Sequence, residues 1–172
     1  MPHLIRMAKS YLLRTALSTS LSVRRVKPDD CVESGLDFMV LSIDGATQPV
    51  YERFRRGGNL ELVLGNIRKL VDAKRRLGRR TPVLSWNFLA FEHNLHEIRP
   101  AARWARKLVV DQFRVVNPFD VSWDGTEIWP AAVKARVGPF SGERLRRYDR
   151  RSAGRHSGVR DVERQRRRSF QL

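Results

Sequence analysis

The chain has 172 residues, 41% of them hydrophobic and 30% charged, with a formal net charge of +16 and a pI near 11.4. That length suits one ordinary domain, or a smaller domain with a tail, and the charge raises nucleic acid or another anionic surface as a partner. The single cysteine, Cys31, excludes an intrachain disulfide and any metal site built on this chain's own cysteines, and the apolar runs are too short for a membrane span.

In chain order, Pro2 to Leu13 places Leu4, Ile5, Ala8, Tyr11 and Leu12 at the spacing of a helix face. Thr15 to Leu21 is short, rich in small and β-prone residues, and reads as a strand. Pro28 to Ser34 opens with Pro and two acids, as helix N-termini prefer, and Gly35 ends it. Phe38 to Ile43 is an apolar run of the kind shown by a parallel strand buried on both faces. A turn and an Arg-rich segment closed by Gly57-Gly58 follow. Asn59 then caps a helix carrying Leu60, Val63, Leu64, Ile67, Leu70, Val71 and Leu77, stopped by Gly78. Pro82 to Phe91 is the third strand. Asn94 to Leu108 is a second amphipathic helix, with Pro100 in its first turn. Gln112 to Val116 is the fourth strand, broken by Asn117-Pro118.

This alternation predicts right-handed βαβ crossovers and an α/β fold with about four parallel strands, either an incomplete barrel or a small open sheet. From Val133 the periodicity is lost. Lys134 onward holds 13 Lys/Arg and 4 Asp/Glu, so the last 39 residues supply +9 of the charge and the first 133 only +7. A segment with so few apolar residues cannot offset its ordering entropy. The expected division is a folded unit over 1–130 and a disordered basic tail over 131–172. Before Asp29 there is no acidic residue, a bias that would suit an organelle transit peptide, but those residues read better as helix and strand.

The chemistry concentrates in Ser42-Ile-Asp-Gly-Ala-Thr47 and Tyr51-Glu-Arg-Phe-Arg-Arg-Gly-Gly58. Ligands of α/β proteins sit at the carboxyl ends of strands. Ser42 and Asp44 at a strand end, with Arg55 shortly after, are therefore placed to hold a polar cofactor; the bland alternative is a strand cap that starts a turn. Asn87 and Asn117, on the next two strands, are further candidate contacts, with Ser85, Thr19 and Ser20 behind them. Gly57-Gly58-Asn59 could cradle an anion at a helix start, although such a pair more often just turns the chain. Glu92-His93-Asn94-Leu95-His96-Glu97 invites a zinc reading, but with no third ligand at a helical offset it reads as a polar loop with a helix cap, and no metal ligands are assigned. The four tryptophans read as packing residues rather than a base-stacking platform.

Leu13–Arg24, Ser34–Ile67, Ala73–Ile98 and Asp111–Asp124 together resemble the middle of a radical S-adenosylmethionine enzyme of the type that carries a SPASM domain. SIDGAT followed by YxxxRxGG is the most specific part. The resemblance covers about two-thirds of the chain and implies a partial (β/α) TIM-type barrel, an iron–sulfur protein of the cytoplasm. In that family S-adenosylmethionine lies across the strand ends and a [4Fe–4S] cluster on a CxxxCxxC loop reduces it. The resemblance assigns Ser42 to the cofactor and Arg55 to its carboxylate, as the fork of a guanidinium suits two oxygens. The chain departs from the family in lacking CxxxCxxC and the SPASM cysteines, Cys31 lies in a connecting segment, and Ser20 stands where the family often has Asn. Iron in such a cluster needs thiolates, so these residues alone are expected to be a truncated, non-catalytic half of the site, with open sheet edges prone to self-association.

The alternative is a small basic α/β protein that binds nucleic acid through tail arginines such as Arg144, Arg146, Arg147 and Arg166. The tail's Arg/Gly/Ser/Pro-rich composition is also what an out-of-frame reading of a GC-rich coding sequence would give. No membrane contact is expected.

Overall fold

The structure, a computed structural model, describes residues 1–118 and 127–131, together with the backbone of 136–139. Its elements are α1 (Pro2–Ser10), β1 (Ala16–Thr19), α2 (Pro28–Glu33), β2 (Phe38–Ser42), α3 (Gln48–Phe54), α4 (Leu60–Arg76), β3 (Val83–Leu89), a 3-10 helix (Glu92–Glu97), α5 (Ile98–Lys107), β4 (Gln112–Val116) and β5 (Arg136–Pro139). The strands form one sheet in sequential order. β1 to β4 are parallel, and β5 runs antiparallel to β4.

The four expected strands and the α/β class are present. Burial alternates on β2 and β4 and nearly so on β3: Met39 and Leu41 on β2, Leu84, Trp86 and Phe88 on β3, and Phe113 and Val115 on β4 are buried, whereas Phe38, Val40, Ser42, Asn87, Leu89, Gln112 and Arg114 are only half-buried; Ser85 of β3 is the exception, buried although it is in phase with Asn87. The apolar run of β2 is therefore not covered on both faces, as its composition suggested. Sequential order explains this. Right-handed crossovers between neighbours put the connecting helices on a single face. α2 and α4 pack on one another there, and Val63, Ile67 and Leu70 of α4 with Ala101 and Ala105 of α5 are fully enclosed.

α4 forms for local reasons that agree with its packing. The Asn59 side chain accepts from Leu62 N at 2.8 Å, Glu61 lies in the first turn and Lys74, Arg75 and Arg76 in the last, complementing the helix dipole. Two aspartates bind the amino ends of the strands. Asp37 accepts from Lys9 Nζ at 2.8 Å, Thr15 N at 2.7 Å and Thr15 Oγ1 at 3.0 Å, fixing α1 and the start of β1. Asp111 accepts from Lys74 Nζ and Leu84 N, both at 2.7 Å, fixing α4 and β3.

Three elements differ from expectation. α3 occupies what read as an irregular Arg-rich segment. The helix expected to start at Asn94 starts at Ile98, because the Asn94 side chain instead accepts from Phe91 N and donates to Asp44 O and Leu89 O, which closes the 3-10 turn. β5 lies in a stretch without periodicity, where pairing with β4 organises four residues. The rest of the basic tail, the tail arginines and Trp123 fall outside the described residues.

Candidate functional site

The chain leaves β2 at Ser42 and turns sharply over Gly45. A Cβ on Gly45 would lie 2.5 Å from Tyr51 N and 2.7 Å from its Cα, so only glycine lets α3 run this close. Gly58 meets the other end of the same residue, where a Cβ would lie 2.7 Å from Tyr51 Cε1. Tyr51 is fully buried between them. Gln48 reinforces the loop by donating to Gly58 O and accepting from Leu60 N, both at 2.8 Å. The spacing of SIDGAT and YERFRRGG thus has a physical cause: it folds α3 back as a clasp on the end of β2.

Asp44 and Arg55 are joined by this clasp. Arg55 Nε donates to Asp44 Oδ2 at 2.7 Å, and Leu89 N donates to Asp44 Oδ1 at 2.8 Å. Asp44 is fully buried, whereas the Arg55 side chain remains 27% exposed and lies 5.0 Å from the Phe54 ring centre. Burial pushes the Asp44 carboxyl above the ordinary range, with Arg55 pulling the other way. Asp44 therefore positions Arg55. Its own oxygens are enclosed and both are engaged within the protein. Among the described residues no partner is found for the outer nitrogens of Arg55.

Ser42 lies in register with Asn87 of β3, and Asn87 with Arg114 of β4, so these three share a row on the half-covered face. Ser42 Oγ is 3.3 Å from Ser18 Oγ of β1. Ser85 Oγ donates to Asn87 Oδ1 at 3.3 Å, which leaves the Asn87 amide nitrogen as a donor. Arg114 Nε is buried without a hydrogen-bond partner. Sequence reasoning missed Arg114. The signal was available: in Gln112-Phe-Arg-Val-Val116 the arginine holds the polar phase of a period-two strand.

The remaining candidates separate from this row. Asn117 is exposed, one residue beyond β4 and out of phase with Arg114. Thr19 Oγ1 and Ser20 Oγ accept from Leu21 N and Ser22 N, closing local turns. At Gly57-Gly58-Asn59 the helix amides are taken by Ser22 Oγ, Gln48 and Asn59 itself, so the glycines serve the turn. Trp86 is core, its Nε1 donating to Ile43 O.

In the His/Glu segment the Glu97 carboxylate accepts from Ala46 N at 2.6 Å and Thr47 Oγ1 at 2.5 Å, gripping the turn after β2. His93 stacks on Phe91, and burial, aided by Arg53, lowers its pKa. No group of three or more His, Cys, Asp or Glu placed to hold a metal ion occurs among the described residues. Cys31 is buried in α2, where burial raises its pKa and keeps the thiol protonated. No helix among the described residues is long and apolar enough to cross a membrane. No protein-family model matches the chain, and no curated protein matches it.

Proposed function

We propose that the chain is the S-adenosylmethionine-binding half of a radical SAM barrel, not catalytic by itself. The observation that carries the reading is the row Ser42–Asn87–Arg114 on the open face of a singly wound parallel sheet, beside the Asp44–Arg55 clasp. A doubly wound sheet reverses its strand order and covers both faces. Sequential order with helices on one face is the arrangement of a (β/α) barrel, whose inner face is the uncovered one. On this reading the Ser42 hydroxyl and the Asn87 amide hold polar groups of the cofactor, and Arg55, oriented by Asp44, offers its outer edge to a carboxylate. Asn117 is the weakest of the proposed contacts.

The residues do not fit an iron–sulfur cluster. The sole thiol is buried in α2 and held protonated, and thiolates are what such iron requires. S-adenosylmethionine supplies a hydrogen-abstracting radical only where a reduced cluster meets it. The activity proposed for these 172 residues is therefore binding.

Calorimetric titration with S-adenosylmethionine tests this. Saturable binding is expected, weakened roughly tenfold in Ser42→Ala and in Asn87→Ala, the worth of one hydrogen bond to a charged or strongly polar ligand. No saturable binding by the wild type, or unchanged affinity in both variants, overturns the proposal. The second reading, nucleic-acid binding, rests on the net charge of +16 alone. It predicts tight, salt-sensitive RNA or DNA binding that is lost on deleting residues 134–172.

A further inference from the structure

From the same open face we infer a carboxylate-binding site centred on Arg114, with the Asn87 amide and Gln112 beside it. The inference deepens the proposed function and rests on its reading of this face as a ligand surface. Three observations carry it. First, Arg114 is a cation with no acidic partner among the described residues. None of the described ion pairs includes it, and its Nε is buried without a hydrogen-bond acceptor. A buried donor left unmade is costly, and a partly buried charge more so, which makes such a group a place where an anion is stabilised.

Second, the described strand positions around it offer donors and no acids. The strand positions in phase with Arg114 on β2, β3 and β4 include Ser42, Ser85, Asn87 and Gln112 and no Asp or Glu. Asp44, the nearest carboxylate in sequence to this row, is enclosed by Arg55 and Leu89 N and cannot neutralise Arg114. Third, the donors are oriented. Ser85 Oγ holds Asn87 Oδ1, turning the NH2 side of the Asn87 amide outward from that bond, and register puts Asn87 directly opposite Arg114. Adjacent strands lie about 4.8 Å apart, so the amide and the guanidinium can meet the two oxygens of one carboxylate. The planar five-donor fork of arginine suits that geometry better than a lysine would.

The carboxylate can come from the methionyl part of S-adenosylmethionine or from a second small carboxylic acid bound beside it, and the experiment separates them. In 15N-labelled protein the Arg114 Nε–H resonance, assigned by its loss in Arg114→Gln, is followed while succinate is added against chloride at equal ionic strength. A saturable shift with succinate and none with chloride is expected. Calorimetry is then run with S-adenosylmethionine and with 5′-methylthioadenosine, which lacks the amino-acid carboxylate.

If the carboxylate belongs to the cofactor, Arg114→Gln weakens S-adenosylmethionine about tenfold to hundredfold and leaves methylthioadenosine unchanged. If it belongs to a second acid, Arg114→Gln leaves both nucleosides unchanged, the wild-type Arg114 Nε–H still shifts with succinate, and the succinate shift of the Asn87 side-chain amide seen in wild type is lost in Arg114→Gln. Arg114→Lys, which keeps the charge, should retain part of the S-adenosylmethionine affinity and of the Asn87 amide shift, and shows that the loss is not one of folding. A resonance indifferent to succinate, together with unchanged S-adenosylmethionine affinity in Arg114→Gln, overturns the site. If wild-type protein responds to succinate but binds no S-adenosylmethionine, the cofactor reading falls and the carboxylate site stands.

Discussion

At the scale of single residues, the Asp44–Arg55 pair separates two roles that the sequence placed together. Asp44 is fully buried and Arg55 is the partner that makes its charge tolerable. Removing one member of such a pair leaves an uncompensated charge, at a typical cost of about 3 kcal/mol. Arg55→Ala should therefore lower unfolding stability by about that amount in urea melts near neutral pH. Loss of S-adenosylmethionine binding in this variant would not by itself identify a contact, which is why Ser42 and Asn87 are the better probes. The pH dependence has a defined sign. A carboxyl whose folded pKa is raised stabilises the fold below its unfolded value, and that contribution disappears as pH rises through the folded value. Without Arg55 the rise is larger, so the deficit of Arg55→Ala should shrink on acidification. A deficit that stays constant or grows would contradict the assigned role. Asp37 runs the opposite way. Its hydrogen bond from Lys9, then that from Thr15 N, lowers its pKa from the usual 3.8 to about 2. Its contribution is complete above 3.8 and is lost as pH falls toward about 2, so acid melts of Asp37→Asn should converge with those of wild type across that window.

At the scale of elements, the clasp formed by α3 depends on two glycines. Gly45→Ala drives a Cβ into the backbone of Tyr51, which cannot move without displacing α3. Overpacking of this kind costs about 1–3 kcal/mol, and a denaturant midpoint lowered by that amount, with the slope unchanged, is the expected result. Asn59→Ala should cost about 1 kcal/mol through loss of the α4 cap. The sequence made α4 legible because its cap, charge gradient and apolar period agree. The strands were legible as apolar runs between turn residues. α3 was not, because its seven residues are too few for a period to emerge. Its Thr47 side chain is also drawn to Glu97, fifty positions away, instead of capping the helix. The same bond was illegible from the Glu97 side, where the segment read as a polar loop with a helix cap: its partner is the turn after β2. Ser42 and Asn87 were legible as candidates because polar residues stand out in apolar runs. Arg114 was passed over within the short apolar strand Gln112–Val116, and only register reveals its neighbours.

At the scale of the whole molecule, the sheet ends at β1 with an edge that no strand of this chain covers among the described residues. The helix before it has two apolar sides. Ile5 is buried, while Leu4, Met7 and Tyr11, at i, i+3 and i+7, are 61%, 50% and 73% exposed, and Leu12 is 92% exposed. Single exposed apolar residues are ordinary, but a helical apolar stripe and an open strand edge are each surfaces for association. The charge there is uniformly basic, since no acid precedes Asp29, so self-association must work against repulsion, and salt should promote it by screening. Light scattering of residues 1–130 should therefore show oligomers that grow with added salt. Leu4→Ser, Met7→Ser and Tyr11→Ser combined should return the protein to monomer without lowering its melting temperature, because these side chains contribute little to the chain's own core. A sharp monomer at all salt concentrations in the unsubstituted protein would show that neither the edge nor the stripe drives association. A triple variant that melts early would instead place the stripe in the core of the fold.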